Sequence, residues 1–234
     1  MTYLSSLLNP PSLSDKTAHQ YDFNKNVHLA LQHLQSVSNA SVITNPDFNT
    51  LGPNGTTPIT QGDGDNAEFS AGFFVVGAAN ADYTITPTPY PTSSTINSNS
   101  SYYINVAITN FNGSSLYFYQ RQPNSQRQYQ NTTLTSSLYI NNNQTTPLII
   151  RMDVYSFYSS GAGQQQLYTG SSKTIAPLIN TVTSTVTIPS LSGFTISSPY
   201  TEFRLNFVNL NNGAANIDIY FFKTELGQLS TPLY

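Results

Sequence analysis

The sequence predicts an all-β fold, an antiparallel β-sandwich of the jelly-roll type, preceded by a short N-terminal α-helix. From about residue 67 to the end, apolar and aromatic residues alternate at period two or come in short β-branched runs. Clusters of Asn, Gly, Pro and Ser, the residues that favour turns, separate these runs. Only the stretch FNKNVHLALQHLQSV, residues 23–37, keeps a helical period.

The helix comes first. Phe23, Val27, Ala30, Leu34 and Val37 follow one another at steps of four, three, four and three, the seam of a coiled coil. Pro10 and Pro11 block a helix upstream, and Ser14 or Asp15 supplies an N-cap, so the helix is expected over about 16–38. So short a helix is marginal alone in water and needs a partner surface, either copies of itself or the β domain. A trimerising stalk with a docking segment over 1–43 is the expectation. Residues 44–66, rich in Gly, Pro, Asn and Thr, are expected to be a linker, and 67–234 the jelly-roll head.

Within the head the strand candidates are 71–78, 82–87, 101–111, 114–122, 133–140, 147–158, 180–188, 201–208 and 216–224. Their short, even spacing is that of a two-sheet sandwich.

Composition narrows the partners. The 234 residues include 38% hydrophobic and 12% aromatic side chains, enough for a sizeable core. Only 8% are charged, against about 25% in an ordinary domain. Little electrostatic repulsion therefore opposes self-association, and a homotrimer is expected. A net charge of −3 with scattered basic residues gives no footprint for nucleic acid or an anionic bilayer. No apolar run approaches the roughly 20 residues of a membrane-spanning helix. There is no cysteine, which removes disulfides, thiolate metal sites and thiol nucleophiles. Six N-x-Ser/Thr sequons occur, a number that chance supplies in so Asn- and Thr-rich a chain.

Strand phase gives the sharpest reading. Ile104, Val106 and Ile108, Leu116 and Phe118, Ile150, Met152 and Val154, Phe203, Leu205 and Phe207, and Ile217, Ile219 and Phe221 share one phase and are expected in the core. The opposite phase carries Tyr103, Asn105, Tyr117, Tyr119, Arg121, Arg151, Asp153, Tyr155, Glu202, Arg204, Asn206, Asp218 and Tyr220. Three readings of this face stay open: a solvated outer sheet, a subunit interface of Tyr and Arg with paired carboxylates, and a glycan-binding face on which tyrosine rings stack against sugars. The residues that would carry the interface or the glycan are Tyr117, Tyr119, Arg121, Arg151, Asp153, Tyr155 and Arg204.

Catalysis has few candidates. His19, His28 and His33 all precede the head, so a Ser-His-Asp triad inside it is excluded. A two-carboxylate glycosidase drawn from Asp153, Glu202 and Asp218, with Asp153 and Glu202 as the pair, is conceivable by type, but an arginine adjoins each in the phased face, which is the pattern of structural ion pairs; the chain is read as a non-enzyme. His28 and His33 suit flanking helix positions better than a metal site. Asp63, Asp65 and Glu68 make half of a calcium loop without its full spacing, so a polar turn is expected and no metal or cofactor is assigned.

The layout, with a short helix, then SNASVITNPDFN at 38–49, then a head ending in NIDIYFF at 216–222, resembles structural appendage proteins of tailed bacteriophages. These are trimeric capsid decoration proteins, head fibres and tail-fibre modules with heads similar to carbohydrate-binding jelly rolls. The resemblance implies a virion structural protein that docks on a capsid or tail partner through its N-terminal segment. The alternative it leaves open is glycan binding at a host surface. Carbohydrate-binding modules of this look often carry tryptophan platforms, and this chain has no tryptophan.

Overall fold

A computed structural model describes residues 41–60, 66–77, 81–91, 100–111, 116–123, 129–158, 165–192, 199–210 and 213–228. The chain divides into two units, Met1–Ala40 and Ser41–Tyr234. The expected trimerisation helix, with Phe23, Val27, Ala30, Leu34 and Val37, lies outside the described residues.

All named elements are strands: β1 (Ile59–Thr60), β2 (Ala67–Ser70), β3 (Phe73–Gly77), β4 (Ala81–Pro89), β5 (Tyr102–Phe111), β6 (Leu116–Pro123), β7 (Thr132–Asn142), β8 (Leu148–Phe157), β9 (Gln165–Tyr168), β10 (Ser172–Ile175), β11 (Leu178–Ile188), β12 (Tyr200–Asn209) and β13 (Ala215–Leu226). They form two antiparallel sheets. One runs β1-β4-β5-β13-β7-β11; the other runs β10-β8-β12-β6-β3-β2, with β9 also on β8. Every expected strand is present. β1, β2, β9 and β10 are additional, and each has four residues or fewer, too short for period-two patterning to stand out from the loops.

The inner faces interdigitate as the strand phase predicts. Ile104, Val106, Phe118, Ile150, Met152, Val154, Phe203, Leu205, Ile217 and Ile219 are all buried in one core. Removing each from water contributes on the order of 1.5–3 kcal/mol. Phe221 departs from the expectation. The register of β13 against β7 shifts between Ile219 and Phe221, so Phe222 takes the core position and is buried, whereas Phe221 is half-exposed. A bulge adds one residue to a strand and reverses the phase beyond it.

Pro87 and Pro89 sit within β4, which sequence rules disfavour for an inner strand. β1 pairs with β4 only at Thr84 and Ile85, so this end of β4 is an edge and the missing N–H costs no ladder bond.

The stretch expected as a linker is, over its described residues, part of the sandwich. Phe48 and Ile59 are buried in the core, as is Ile43 just before the stretch, and the Phe48 ring lies 5.1 Å from that of Phe73. Polar side chains hold this stretch. Gln120 accepts from the Thr44 N–H at 2.7 Å and donates to the Thr44 carbonyl at 2.7 Å. Asn45 donates to the Thr50 carbonyl and the Ser70 hydroxyl and accepts from the Thr50 N–H, each at 2.9 Å. Asn, Pro and Thr here make a tight loop seated on the sheet.

Candidate functional site

The seven-stranded sheet turns its core phase inward and gathers the opposite phase on its outer face. Register across β6, β12 and β8 sets the grid: Arg121, Glu202 and Tyr155 lie in one row, and Tyr119, Arg204 and Asp153 in the next. Tyr117, Asn206 and Arg151 follow, and Tyr200 faces Phe157 at the other end. All seven residues named from sequence for the candidate face, Tyr117, Tyr119, Arg121, Arg151, Asp153, Tyr155 and Arg204, are on this grid. Tyr103, Asn105, Asp218 and Tyr220 share their phase but belong to β5 and β13, and so to the other sheet. Alternation tells inside from outside; it does not tell which of two outsides.

Ion pairs organise the grid. Glu202, whose side chain is 3% exposed, accepts Arg121 on one oxygen at 2.6 Å and Arg204 on the other at 2.5 Å. Each arginine adds a second bond through Nε, at 3.0 and 2.9 Å. Asp153 is fully buried and accepts from Arg151 at 2.9 Å, from Asn206 at 2.9 Å and from the Gly170 N–H at 3.0 Å. Such charge-assisted bonds are what make buried carboxylates tolerable. Both carboxylates spend their acceptor sites on this chain's own donors, as structural ion pairs do. The glycosidase alternative needs an acid and a base free to face a substrate.

Aromatic rings fill the space between the charges. The Arg204 guanidinium lies 4.0 Å from the Tyr155 ring centroid and 4.5 Å from that of Tyr117. Arg121 lies 4.1 Å from Tyr200 and 5.5 Å from Tyr119. Phe157 stacks on Tyr200 at 4.9 Å, and Phe74 on Tyr119 at 5.4 Å. The Tyr119 hydroxyl donates to Asn66 at 2.7 Å, and that of Tyr155 donates to Gln165. Burial pushes the Tyr119 phenol up to about 12, with Arg121 pulling it the other way. Burial also raises Tyr155.

Tyr200, Phe157, Phe74 and Asn66 were not named from sequence. Tyr200 stands two residues before Glu202 and Phe157 two after Tyr155, so extending the same phase by one step finds both. Phe74 and Asn66 enter through β3 and the turn before β2, which only the sheet order brings alongside β6.

Of the half calcium loop, Asp63 and Asp65 lie outside the described residues, and a Glu68 oxygen accepts from the Gly72 N–H at 2.7 Å. Among the described residues no three metal-binding side chains converge.

No protein-family model matches this sequence, and no curated protein matches it. Solved structures with a similar chain path include carbohydrate-binding modules. A family 4 module is 15% identical at a TM-score of 0.46, covering 79% of this chain and 99% of that one. A family 11 module from Clostridium thermocellum, in complex with a β-1,3-1,4-mixed-linked tetrasaccharide, is 12% identical at 0.44, covering 74% and 98%. An arabinose-bound GH51 α-L-arabinofuranosidase is 12% identical at 0.49, covering 82% of this chain, which spans only 27% of that enzyme. The likeness is in each case one of chain path alone.

Proposed function

We propose that the outer face of the seven-stranded sheet binds a glycan and that the chain is a non-catalytic glycan-binding module. The observation that carries this reading is Arg204, clamped by a buried carboxylate and held between the rings of Tyr117 and Tyr155. A pyranose offers a flat CH face and a rim of hydroxyls. Half-exposed tyrosine rings match the first with little rotamer freedom to lose. Guanidinium N–H groups and the Asn206 amide match the second.

The same geometry removes the reason for preferring a subunit interface. Charges concentrated in a charge-poor chain suggest pairing across copies, but here Glu202 and Asp153 find their arginines within one chain. The platform is complete in a single copy and preorganised, which lowers the entropy cost of binding. The homotrimer and virion setting expected from the sequence are independent of this reading, and light scattering on the purified full chain tests the first.

A glycan array followed by calorimetry on the best saccharide tests the proposal. Tyr155→Ala and Tyr117→Ala are each expected to weaken binding at least about tenfold, which is about 1.4 kcal/mol, while the chain stays folded. An array with no bound glycan, or full affinity in both folded variants, overturns it.

A further inference from the structure

We infer a second ligand site on the opposite sheet, one that takes an amino sugar through its ammonium group. The site stands apart from the arginine-bearing face and does not rest on the glycan reading of it. It is built on β4, β5, β13 and β7, where Tyr220 is the centre of a tyrosine cluster. Ring centroids lie 5.9 Å from it for Tyr90, 5.6 Å for Tyr103 and 5.3 Å for Tyr139. Tyr220 keeps the outward phase of Asp218, and the register shift that follows it in β13 turns Phe222, not Phe221, back into the core.

Next to the rings stands Asp218. It accepts from the Asn105 amide at 2.7 Å and from the Asn143 amide at 2.9 Å. Among the described residues no lysine or arginine pairs with it. This is the reverse of the other sheet, where each buried carboxylate has its arginine. The carboxylate is half-exposed, and so are Tyr103 and Tyr139.

A second feature points the same way. The Tyr90 hydroxyl is buried in this cluster and has no hydrogen-bond partner among the described residues, a state that costs about 1–3 kcal/mol and that native structures seldom leave unexplained. A ligand hydroxyl or ammonium meets that demand.

Electron-rich ring faces and a carboxylate without a cation attract a positive charge. The side chains of Asn105 and Asn143, which donate to the Asn216 oxygen, form a polar rim beside the carboxylate, which suits sugar hydroxyls. An ammonium on a pyranose satisfies all three elements, which a neutral sugar does not.

The test is an NMR titration of the full chain with D-glucosamine and with N-acetyl-D-glucosamine, which lacks the charge. Glucosamine is expected to shift the ring signals of Tyr103 and Tyr139, to bind at least about tenfold more tightly than the N-acetyl sugar, and to weaken as salt is raised. Asp218→Asn should abolish that preference, and Tyr139→Ala should weaken glucosamine in a chain that keeps its other signals. Equal binding of the two sugars, shifts confined to Tyr117 and Tyr155, or no shift at all would overturn the inference. Because the wild-type comparison stands without either variant, a misfolded mutant does not rescue it.

Discussion

Arg204 donates to Glu202 at 2.5 Å while its guanidinium lies 4.0 Å from the centre of the Tyr155 ring. The carboxylate lies beneath and fixes the cation, and the cation fixes the ring. That order braces the outer face without a disulfide, since the chain has no cysteine.

A stability ranking follows. Glu202→Gln removes the charge that holds two arginines, so it should cost more than either arginine deletion. Arg204→Ala, whose side chain is 15% exposed, should cost about 1–3 kcal/mol, because Glu202 keeps Arg121. Arg121→Ala, 45% exposed, should cost least. Urea denaturation of the three variants checks the order, and Arg121→Ala as the worst of them would contradict it.

Gly170 supports the face from behind. Its N–H donates to Asp153 at 3.0 Å, and an added Cβ would overlap the Met152 carbonyl oxygen and the Ser184 hydroxyl. Gly170→Ala should cost about 1–3 kcal/mol and should weaken saccharide binding without changing any residue of the grid. A melting curve and a binding isotherm measured together test this.

Alkaline pH should unfold the chain through its buried phenols. Tyr119 and Tyr220 are both pushed up to about 12, burial being the largest cause. The folded state therefore holds these protons more tightly than the unfolded chain, where tyrosine titrates near 10. Stability from this source is complete below pH 10 and declines as pH rises from 10 towards 12. Phenolate absorbance and circular dichroism followed together should show a late fraction of the ionisation coinciding with loss of sheet signal, and a chain that keeps its sheet signal after all its phenols have ionised by pH 11 would refute it.

Asn45 separates backbone from side chain. Its φ is +54°, a conformation asparagine tolerates better than alanine. Asn45→Ala loses both the conformation and the bonds to Thr50 and Ser70, and should cost about 2–3 kcal/mol. Asn45→Gly keeps the conformation and loses only the bonds, so it should cost less. Equal losses in chemical denaturation would show that the backbone contributes nothing.

The strands and their facing were legible because a β-strand reports its own burial: period two marks which side chains leave water, and hydrophobic transfer enforces it. Ile104, Phe118, Met152 and Leu205 declared themselves in this way, as did the polar partners Arg121, Asp153 and Arg204. Three things waited for the tertiary structure. The first is which sheet each strand joins, since Asp218 and Glu202 read alike until β13 and β12 are seen on opposite layers. The second is the bulge at Tyr220, which the sequence around Phe221 does not mark. The third is the seating of 41–60 on the core, where Gln120 and Asn45 hold a turn-rich stretch that composition reads as solvent-exposed. Each depends on contacts between residues far apart in the chain, and a local period carries no record of them.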